Sequence, residues 1–408
     1  KPPLAPRSTD QETYLMHRRF RPGWAAAVAL ALAAATAPAQ DGDVAKAVAV
    51  LKGVTKEGTN NDAAGPAWKT VVDAGAPAFL PTLTAVDDAN PTAANWLRSA
   101  AGAIAENEKK ARRAFPGAEL EGFVLDPRGA APSARRLAYE VLLAQDPATP
   151  ARLLPKLLND PQPDLRREAI ADQLAKVKTG APGAATLDEL FAFTREKEQA
   201  EAVAKELEIV GKKASVTEHF AFLTQFRVVG PFLSEEGKAL TLSHPPGTAP
   251  DVAAEYTGKD DTKVKWVPQA TADKYGKLDL NEKVGRLKNA CAYALAVVHA
   301  EKETAAEVRV GSPNAVQIFL NGKKLFEREE YHHGDAMDYH VGRGVLKAGE
   351  NAVVVKVCQN NQTDSWAQRW QFQARVCDAT GGALPGLTQV VDGRKLPLGA
   401  ITQPEGKK

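Results

Sequence analysis

The sequence predicts a two-part α+β protein in which helices come first and antiparallel strands follow. From about residue 44 to residue 213, Ala and Leu recur at helical spacing between Pro, Gly and Asp breaks. After Ser215 apolar and polar residues alternate instead, which is the pattern of half-buried strands. Asn321-Gly322 between two apolar runs is a hairpin signal, because both turn positions of the favoured turn need positive φ.

Residues 1–39 are interpreted as an upstream extension and a secretory signal peptide. The basic residues after Met16 are followed by the apolar run "WAAAVALALAAATAPA", whose end fits a small-x-small cleavage site before Gln40. This run is shorter than the roughly 20 apolar residues that span a bilayer comfortably. We therefore expect an exported protein that is periplasmic, at the cell surface or secreted, with no membrane span in the mature chain.

Composition and charge are those of an ordinary folded protein. The chain has 408 residues, of which 44% are hydrophobic and 25% charged, which excludes bulk disorder. Its formal net charge is +2, and removing residues 1–39 takes away five basic and two acidic residues, leaving about −1. Near-neutral charge of this kind gives no reason to expect nucleic acid as a partner.

The helical part, residues 40–214, is predicted to be an α-solenoid. Asp126 and Asp160 each open an Asp-Pro turn, 34 residues apart, and each turn precedes an Arg-Arg pair and Leu/Ala spacing. A repeat of 30-odd residues built from two helices is typical of solenoids. The run from Asp160 to Ala169, "DPQPDLRREA", resembles the turn and second helix of a HEAT repeat, and an irregular helical bundle is the alternative. In either case this part supplies packing surface and no catalytic constellation, and a solenoid would present a face that binds a partner protein.

The second part, residues 215–395, is predicted to be an antiparallel β-sandwich, with a flexible tail at 396–408. Many short strands with turn signals between them are typical of a sandwich or jelly roll. The predicted strands lie in "HFAFLTQFRVVGPF", "TKVKWVPQA", "NACAYALAVVHA", "AAEVRVGSPNAVQIFLNGKKLFE", "NAVVVKVCQN" and "RWQFQARVCD".

A family resemblance accompanies these strands. "VGSPNAVQIFLNGKKLFE" and "DYHVGRGVLKAGENAVVVKV" resemble the jelly-roll domains of the galactose-binding-like class, such as the sugar-binding domain of family 2 glycoside hydrolases. The resemblance implies a jelly roll that binds a carbohydrate, in an exported bacterial protein that also carries HEAT-like helices. Related modules often have acidic residues where this chain has Ser312-Pro313-Asn314, so a calcium contact at this turn is not carried over.

A cluster of histidines suggests a metal site. "EREEYHHGDAMDYHVGRG" places His332, His333 and His340 close together, with Asp338 beside the last. Imidazole and carboxylate are zinc ligands. Alternation predicts that Asp338 and His340 share one strand face and point outward, with Met337, Tyr339 and Val341 on the core face. The cluster therefore supports a metal-assisted hydrolase as an alternative function, although no spaced helical ligand motif accompanies it.

The second candidate site is a carbohydrate site in "QNNQTDSWAQRW". A sugar site needs an aromatic face and planar hydrogen-bonding side chains, and Trp366 lies in the predicted loop while Trp370 has the parity of the core. The candidate ligand-binding residues are Asn360, Asn361, Gln362, Asp364, Trp366 and Gln368.

No cofactor is required by any motif. A structural calcium at Asp260 and Asp261, or zinc at the histidine cluster, is left open. Cys291, Cys358 and Cys377 form no C-x-x-C motif. We favour three buried residues in strands, although one disulfide among them is an alternative in an oxidising compartment.

The sequence favours a non-catalytic exported protein that binds a carbohydrate or a partner protein, with a purely structural cell-envelope scaffold as a further alternative.

Overall fold

The computed structural model describes residues 41–86, 89–127, 131–236 and 238–401. The predicted extension and signal peptide, and residues 402–408 of the predicted tail, lie outside these residues. Helices occupy the N-terminal part and antiparallel sheets the C-terminal part, as the sequence predicts.

The first part is built from short helices whose starts are marked by Pro and by polar caps. The Asn90 side chain accepts hydrogen bonds from two backbone N–H groups at the start of the longest helix, at 3.0 and 3.1 Å. Among the described residues, no helix is both long and apolar enough to cross a membrane. The helices are α1 (Asp41–Lys52), α2 (Asn61–Asp73), α3 (Ala76–Thr84), α4 (Pro91–Lys110), α5 (Gly117–Leu125), α6 (Pro132–Gln145), α7 (Thr149–Leu153), α8 (Pro163–Thr179), α9 (Leu187–Phe193), α10 (Lys197–Ile209) and α11 (Val216–His219).

Two buried arginines link successive helices of this part. Arg135 of α6 donates to both carboxylate oxygens of Asp160, at 2.8 and 2.5 Å. Arg166 of α8 donates to the Asp160 backbone carbonyl at 2.8 Å and to the Glu196 carboxylate at 3.0 Å. The turn residue Asp160, which the sequence singles out, therefore accepts hydrogen bonds from arginines of α6 and α8.

The second part consists of two larger antiparallel sheets and a short two-stranded one. The first larger sheet has the order β14-β13-β6-β11-β8-β9, with β1 paired to β6 and to β4, and the second has the order β10-β7-β12-β5. The elements are β1 (Gln225–Leu233), β2 (Glu255–Thr257), β3 (Lys263–Lys265), β4 (Val267–Ala270), β5 (Leu278–Asp279), α12 (Leu280–Lys283), β6 (Ala290–Ala300), β7 (Thr304–Gly311), β8 (Ala315–Leu320), β9 (Lys323–Arg328), β10 (His340–Leu346), β11 (Gly349–Gln359), β12 (Gln371–Cys377), β13 (Thr388–Val391) and β14 (Arg394–Pro397).

One hydrophobic core is shared by the two larger sheets. Val355 of β11 and Ile318 of β8 belong to the same buried cluster as Val308 of β7 and Phe372 of β12. Trp370 is fully buried in this cluster and donates its ring N–H to the Val357 carbonyl at 3.2 Å, which confirms the sequence-based assignment of this residue to the core. Burial of a large aromatic ring with its polar atom satisfied is strongly stabilising.

Helix α10 packs against the sheet part. Its Glu201 carboxylate accepts a hydrogen bond from the Tyr275 hydroxyl and forms an ion pair with Lys274 at 3.1 Å. Ala200 and Ala204 of the same helix share a buried cluster with Phe220 and Phe222. Helix α10 thus contacts the second part through one of its charged residues, Glu201, and through its alanines.

The turns around the first sheet follow the sequence signals. Asn321 and Gly322 have φ values of 51° and 79°, as the two-residue hairpin between β8 and β9 requires. Asn351 is fully buried, accepts from the Lys347 N–H at 2.8 Å and donates to the carbonyls of Lys347 and Gly349 at 2.8 and 3.0 Å.

The second part extends past residue 395, where the sequence analysis places the start of the flexible tail. Strand β14 runs to Pro397, and Leu398 is buried.

Replacing Asn351 should loosen the turn that this side chain holds. Asn351→Ala removes two accepted hydrogen bonds, from the Lys347 N–H and from the Asn321 amide, and two donated ones from a fully buried position, and unpaired buried polar groups are left behind. We expect a loss of about 2–3 kcal/mol in the free energy of unfolding, measured by urea titration. Asn361→Ala, at an exposed position, is the control and should change it by less than about 0.5 kcal/mol. Equal effects of the two substitutions would contradict this account.

Candidate functional site

Two loops meet at one end of the sheet part. Residues 329–339 connect β9 to β10, and residues 360–370 connect β11 to β12. The His332 Nε2 atom lies 2.8 Å from the Asn360 Oδ1 atom, and the His332 ring lies 5.3 Å from the Trp366 ring, nearly perpendicular to it. His332, which the sequence analysis assigns to a metal site, thus contacts Asn360 and Trp366 of the predicted carbohydrate site.

Trp366 is presented to solvent on a rigid support. Its side chain is 58% exposed and lies in a short 3-10 helix, Ser365–Ala367. The neighbouring Ala367 is buried, and its carbonyl accepts from Lys288 Nζ at 2.7 Å and from the Gln359 amide at 3.1 Å. The backbone beside the exposed ring is therefore held by the last residue of β11 and by Lys288, and Trp366 lies in the loop rather than in the core, as predicted.

The predicted polar residues divide into two groups. Asn360 is buried, bonds His332, and donates to the Gln362 side-chain oxygen at 2.9 Å. Gln368 donates to two carbonyls of its own loop, each at 2.7 Å. These amides support the loop, whereas Asn361 and Asp364 are exposed beside it.

The predicted strand parity around His340 is wrong. Asp338 has φ of 65° and precedes β10, so it interrupts the alternation on which the prediction relied. His340 is opposite Val310 and is 1% exposed, whereas Tyr339 is 42% exposed. His340 therefore points into the core and Tyr339 toward solvent, the reverse of the expected arrangement. Within the part of the chain that the structure describes, neither ring nitrogen of His340 has a hydrogen-bond partner.

Asp338 lies on the outer face of the second sheet in a network of charges. Both of its oxygens accept hydrogen bonds from the fully buried Arg375, and Arg309 donates to it at 2.9 Å. Arg309 in turn pairs with Glu307 at 2.7 Å. Burial alone would raise the pKa of Asp338, but the hydrogen bonds and charges of Arg375 and Arg309 lower it below its ordinary value.

Two of the four predicted metal ligands lie next to each other and the other two do not join them. The rings of His333 and His340 are 5.7 Å apart, edge to face, and His333 also stacks on Tyr339 with ring centroids 4.5 Å apart. His332 instead bonds Asn360, and Asp338 binds arginines. In the ranges that the structure describes, no group of three or more His, Cys, Asp or Glu side chains is arranged to hold a metal ion.

The two residues proposed for calcium lie in a surface turn. Asp260 is paired with Lys259 at 2.9 Å, and its side chain is exposed. Both Asp260 and Asp261 have positive φ, in a short 3-10 turn before β3. The ion pair with Lys259 gives Asp260 a role in this turn that needs no calcium.

Sequence reasoning missed the arginines on the outer sheet face. Arg309 and Arg375 lie directly opposite each other on β7 and β12. Alternation in "QFQARVCD" places Gln373 and Arg375 away from the core, and such residues are normally interpreted as solvated. The signal that could have found them is the density of charge on both strands at the same parity.

Comparisons with known proteins do not assign a family. The sequence matches no protein-family profile and no curated protein sequence. Among solved structures, an anti-sigma factor domain-containing protein matches 43% of this chain and 46% of its own, at 9% identity and a TM-score of 0.22. A second such protein, from Clostridium clariflavum, matches 46% and 49%, at 10% identity and a TM-score of 0.21.

A glycoside hydrolase is also among the structural matches. A GH31 alpha-xylosidase from Xanthomonas citri matches 28% of this chain and 15% of its own, at 10% identity and a TM-score of 0.17. The chain thus spans about half the length of the anti-sigma factor domain proteins and a small fraction of the xylosidase. Likenesses of this size carry no argument about function.

Removing the charge of Asp338 should destabilise the fold. Asp338→Asn keeps the shape but leaves the buried Arg375 without its countercharge, so we expect a loss of roughly 3 kcal/mol in the free energy of unfolding. Asp392→Asn, which removes a partner of Arg227 in a solvent-exposed pair, should cost less than about 1 kcal/mol. Urea unfolding at neutral pH measures both, and a loss for Asp338→Asn no larger than for Asp392→Asn would contradict this role.

One buried histidine, His340, and two half-buried ones should make stability depend on pH. Burial lowers the pKa of His219, His244 and His340 to about 4 each, against about 6.5 in an unfolded chain. The unfolded state therefore binds more protons below pH 6.5, so the stability present above pH 6.5 is lost as the pH falls toward 4. His340→Phe removes one titrating group without removing a hydrogen bond. Its free energy of unfolding should vary less steeply between pH 6.5 and pH 4 than that of the wild type, and an unchanged slope would contradict this assignment.

Proposed function

We propose that this chain is an exported, non-catalytic binding protein that holds a carbohydrate on the Trp366 loop, with the helical part as a scaffold for a partner protein. The observation that carries the proposal is the exposed Trp366 ring on a fixed backbone. An exposed indole 58% in solvent gains contact with the apolar face of a sugar ring without first displacing a neighbour.

The surroundings of Trp366 fit this ligand class. Asn361 and Asp364 are exposed beside it and offer an amide and a carboxylate to sugar hydroxyls. His332 contacts the Trp366 ring and is itself fixed by Asn360 and by the bond from its backbone N–H to the Pro313 carbonyl, at 2.6 Å. A preformed support lowers the ordering cost of binding.

The finer fold assignments belong to the same proposal. We assign the helical part to the α-solenoids, supported by the equivalent arginines Arg135 and Arg166, which lie 31 residues apart and both bind residue Asp160. We assign the two sheets to the jelly rolls, supported by the shared core and the Asn321-Gly322 hairpin. Export follows from residues 1–39 and is tested by N-terminal sequencing of protein recovered outside the cytoplasm, which should begin at Gln40.

The metal-assisted hydrolase has less support from the geometry. Its four ligands do not converge, and the most acidic of them, Asp338, is occupied by Arg375 and Arg309. The scaffold without a small-molecule ligand is an outcome of the binding test below.

The proposal is tested by glycan-array binding followed by titration calorimetry with the best ligand. Trp366→Ala should weaken binding by about tenfold or more, since loss of a stacking face of this size is worth upward of about 1.4 kcal/mol. Trp366→Phe keeps an aromatic face and should retain part of the affinity.

Trp68→Ala is the matched control, because it removes a tryptophan of the helical part and should leave binding unchanged. Absence of any bound glycan, or equal affinity in wild type and Trp366→Ala, would overturn the carbohydrate assignment. Absence of any bound glycan would favour the structural scaffold without a small-molecule ligand.

A further inference from the structure

Two of the three cysteines lie directly opposite each other in the centre of the first sheet. Cys291 of β6 and Cys358 of β11 are register partners, both are fully buried, and both are free thiols in the structure. Cys377 is on β12 of the other sheet, opposite Glu307. The sequence alone does not distinguish among the three possible pairs.

The backbone geometry of this pair suits a disulfide. Opposite residues of an antiparallel pair have Cα atoms about 4.5–5.5 Å apart, within the roughly 4.4–6.8 Å that a disulfide accepts. Residues directly opposite each other in an antiparallel pair have side chains on the same face of the sheet, so the two thiols lie on one face. The pairing of β6 with β11 runs without a register shift from Gly349–Ala300 to Gln359–Ala290, so the fold fixes which cysteines meet.

A buried lysine lies beside the pair in the folded protein. Lys356 is fully buried two residues before Cys358, donates to the carbonyls of Ala239 and Leu242 at 2.5 and 2.8 Å, and faces Tyr293 across the strands. Through these hydrogen bonds Lys356 holds residues 239–242 against the sheet, where the Ala239 carbonyl lies 3.9 Å from the Cys358 sulfur.

We propose that Cys291 and Cys358 form an intrachain disulfide that joins β6 to β11, with Cys377 left as a thiol. The oxidant is a small disulfide such as glutathione disulfide. One cysteine thiolate attacks it and releases one glutathione thiol, and the second cysteine then attacks the mixed disulfide and releases the other. Two thiols of the protein are oxidised, and the two electrons and two protons leave in the two glutathione thiols.

The two thiols have to be oxidised before residues 239–244 fold over them. The carbonyl of Ala239 lies 3.9 Å from the Cys358 sulfur, and His244 Nδ1 lies 3.9 Å from the Cys291 sulfur, so residues 239–244 cover both thiols in the folded protein. Folding in an oxidising compartment, where disulfides normally form, would meet this condition. The proposal does not depend on carbohydrate binding.

The test is refolding of the reduced, denatured full chain in a buffer of glutathione and glutathione disulfide. Alkylation and mass spectrometry should then find one free thiol per chain, mapped to Cys377, and one peptide that links Cys291 to Cys358. The oxidised protein should melt about 5 °C or more above the reduced protein, since the bond closes a long loop in the unfolded chain.

Single variants separate this pair from the other two. Cys377→Ser should refold with no free thiol, whereas Cys358→Ala should keep two and form no intrachain link. Alanine fits the site, since Ala290, Ala292 and Ala315 are buried around it. Three free thiols after oxidising refolding, a glutathione adduct in place of the link, or Cys377 in any intrachain bond would each overturn the proposal.

Discussion

Arg375 carries a positive charge on the outer face of the second sheet, and its side chain is fully buried. A buried charge without partners costs several kcal/mol, so the surrounding chain has to supply acceptors for the guanidinium. Asp338 supplies two oxygens, and the carbonyls of Gly381 and Phe220 supply two more, at 2.9 and 3.3 Å. The guanidinium also lies over the Phe220 ring, 5.4 Å from its centroid. One side chain thus ties the loop before β10 and the residue after α11 to the middle of β12.

The candidate site depends on this arrangement. Residues 329–339 are fixed at their far end by Asp338 and near their start by His332, which bonds Asn360. His332 in turn contacts Trp366, on the neighbouring loop. A loop held at both points has little freedom to withdraw His332 from the Trp366 ring, so the exposed indole is presented in one orientation. Preorganisation of this kind reduces the entropy lost on binding.

Local patterns in the sequence were sufficient for the order of helices and strands, for the Asn321-Gly322 hairpin and for the burial of Trp370. Each of these depends on neighbouring residues, through periodicity or turn geometry. The orientation of His340 could not be obtained in this way, because alternation is informative only once the first residue of a strand is known. Asp338 has a positive φ and interrupts the alternation just before β10 begins. As a result His340 faces the core and Tyr339 faces solvent. The Asp338–Arg375 pair joins residues 37 apart, and on a strand such charges resemble solvated ones.

The histidines show why density along a sequence is weak evidence for a binding site. A site needs side chains that converge from separate elements, and neighbours on an extended segment point alternately to opposite sides. His332, His333 and His340 accordingly reach a loop amide, a surface tyrosine and the core. The contacts that form the candidate site and the cysteine pair, His332 with Asn360 and Trp366, and Cys291 with Cys358, join positions 28 or more residues apart. In each case strand pairing or loop packing creates the proximity, so the chemistry of this chain is set by topology more than by any motif.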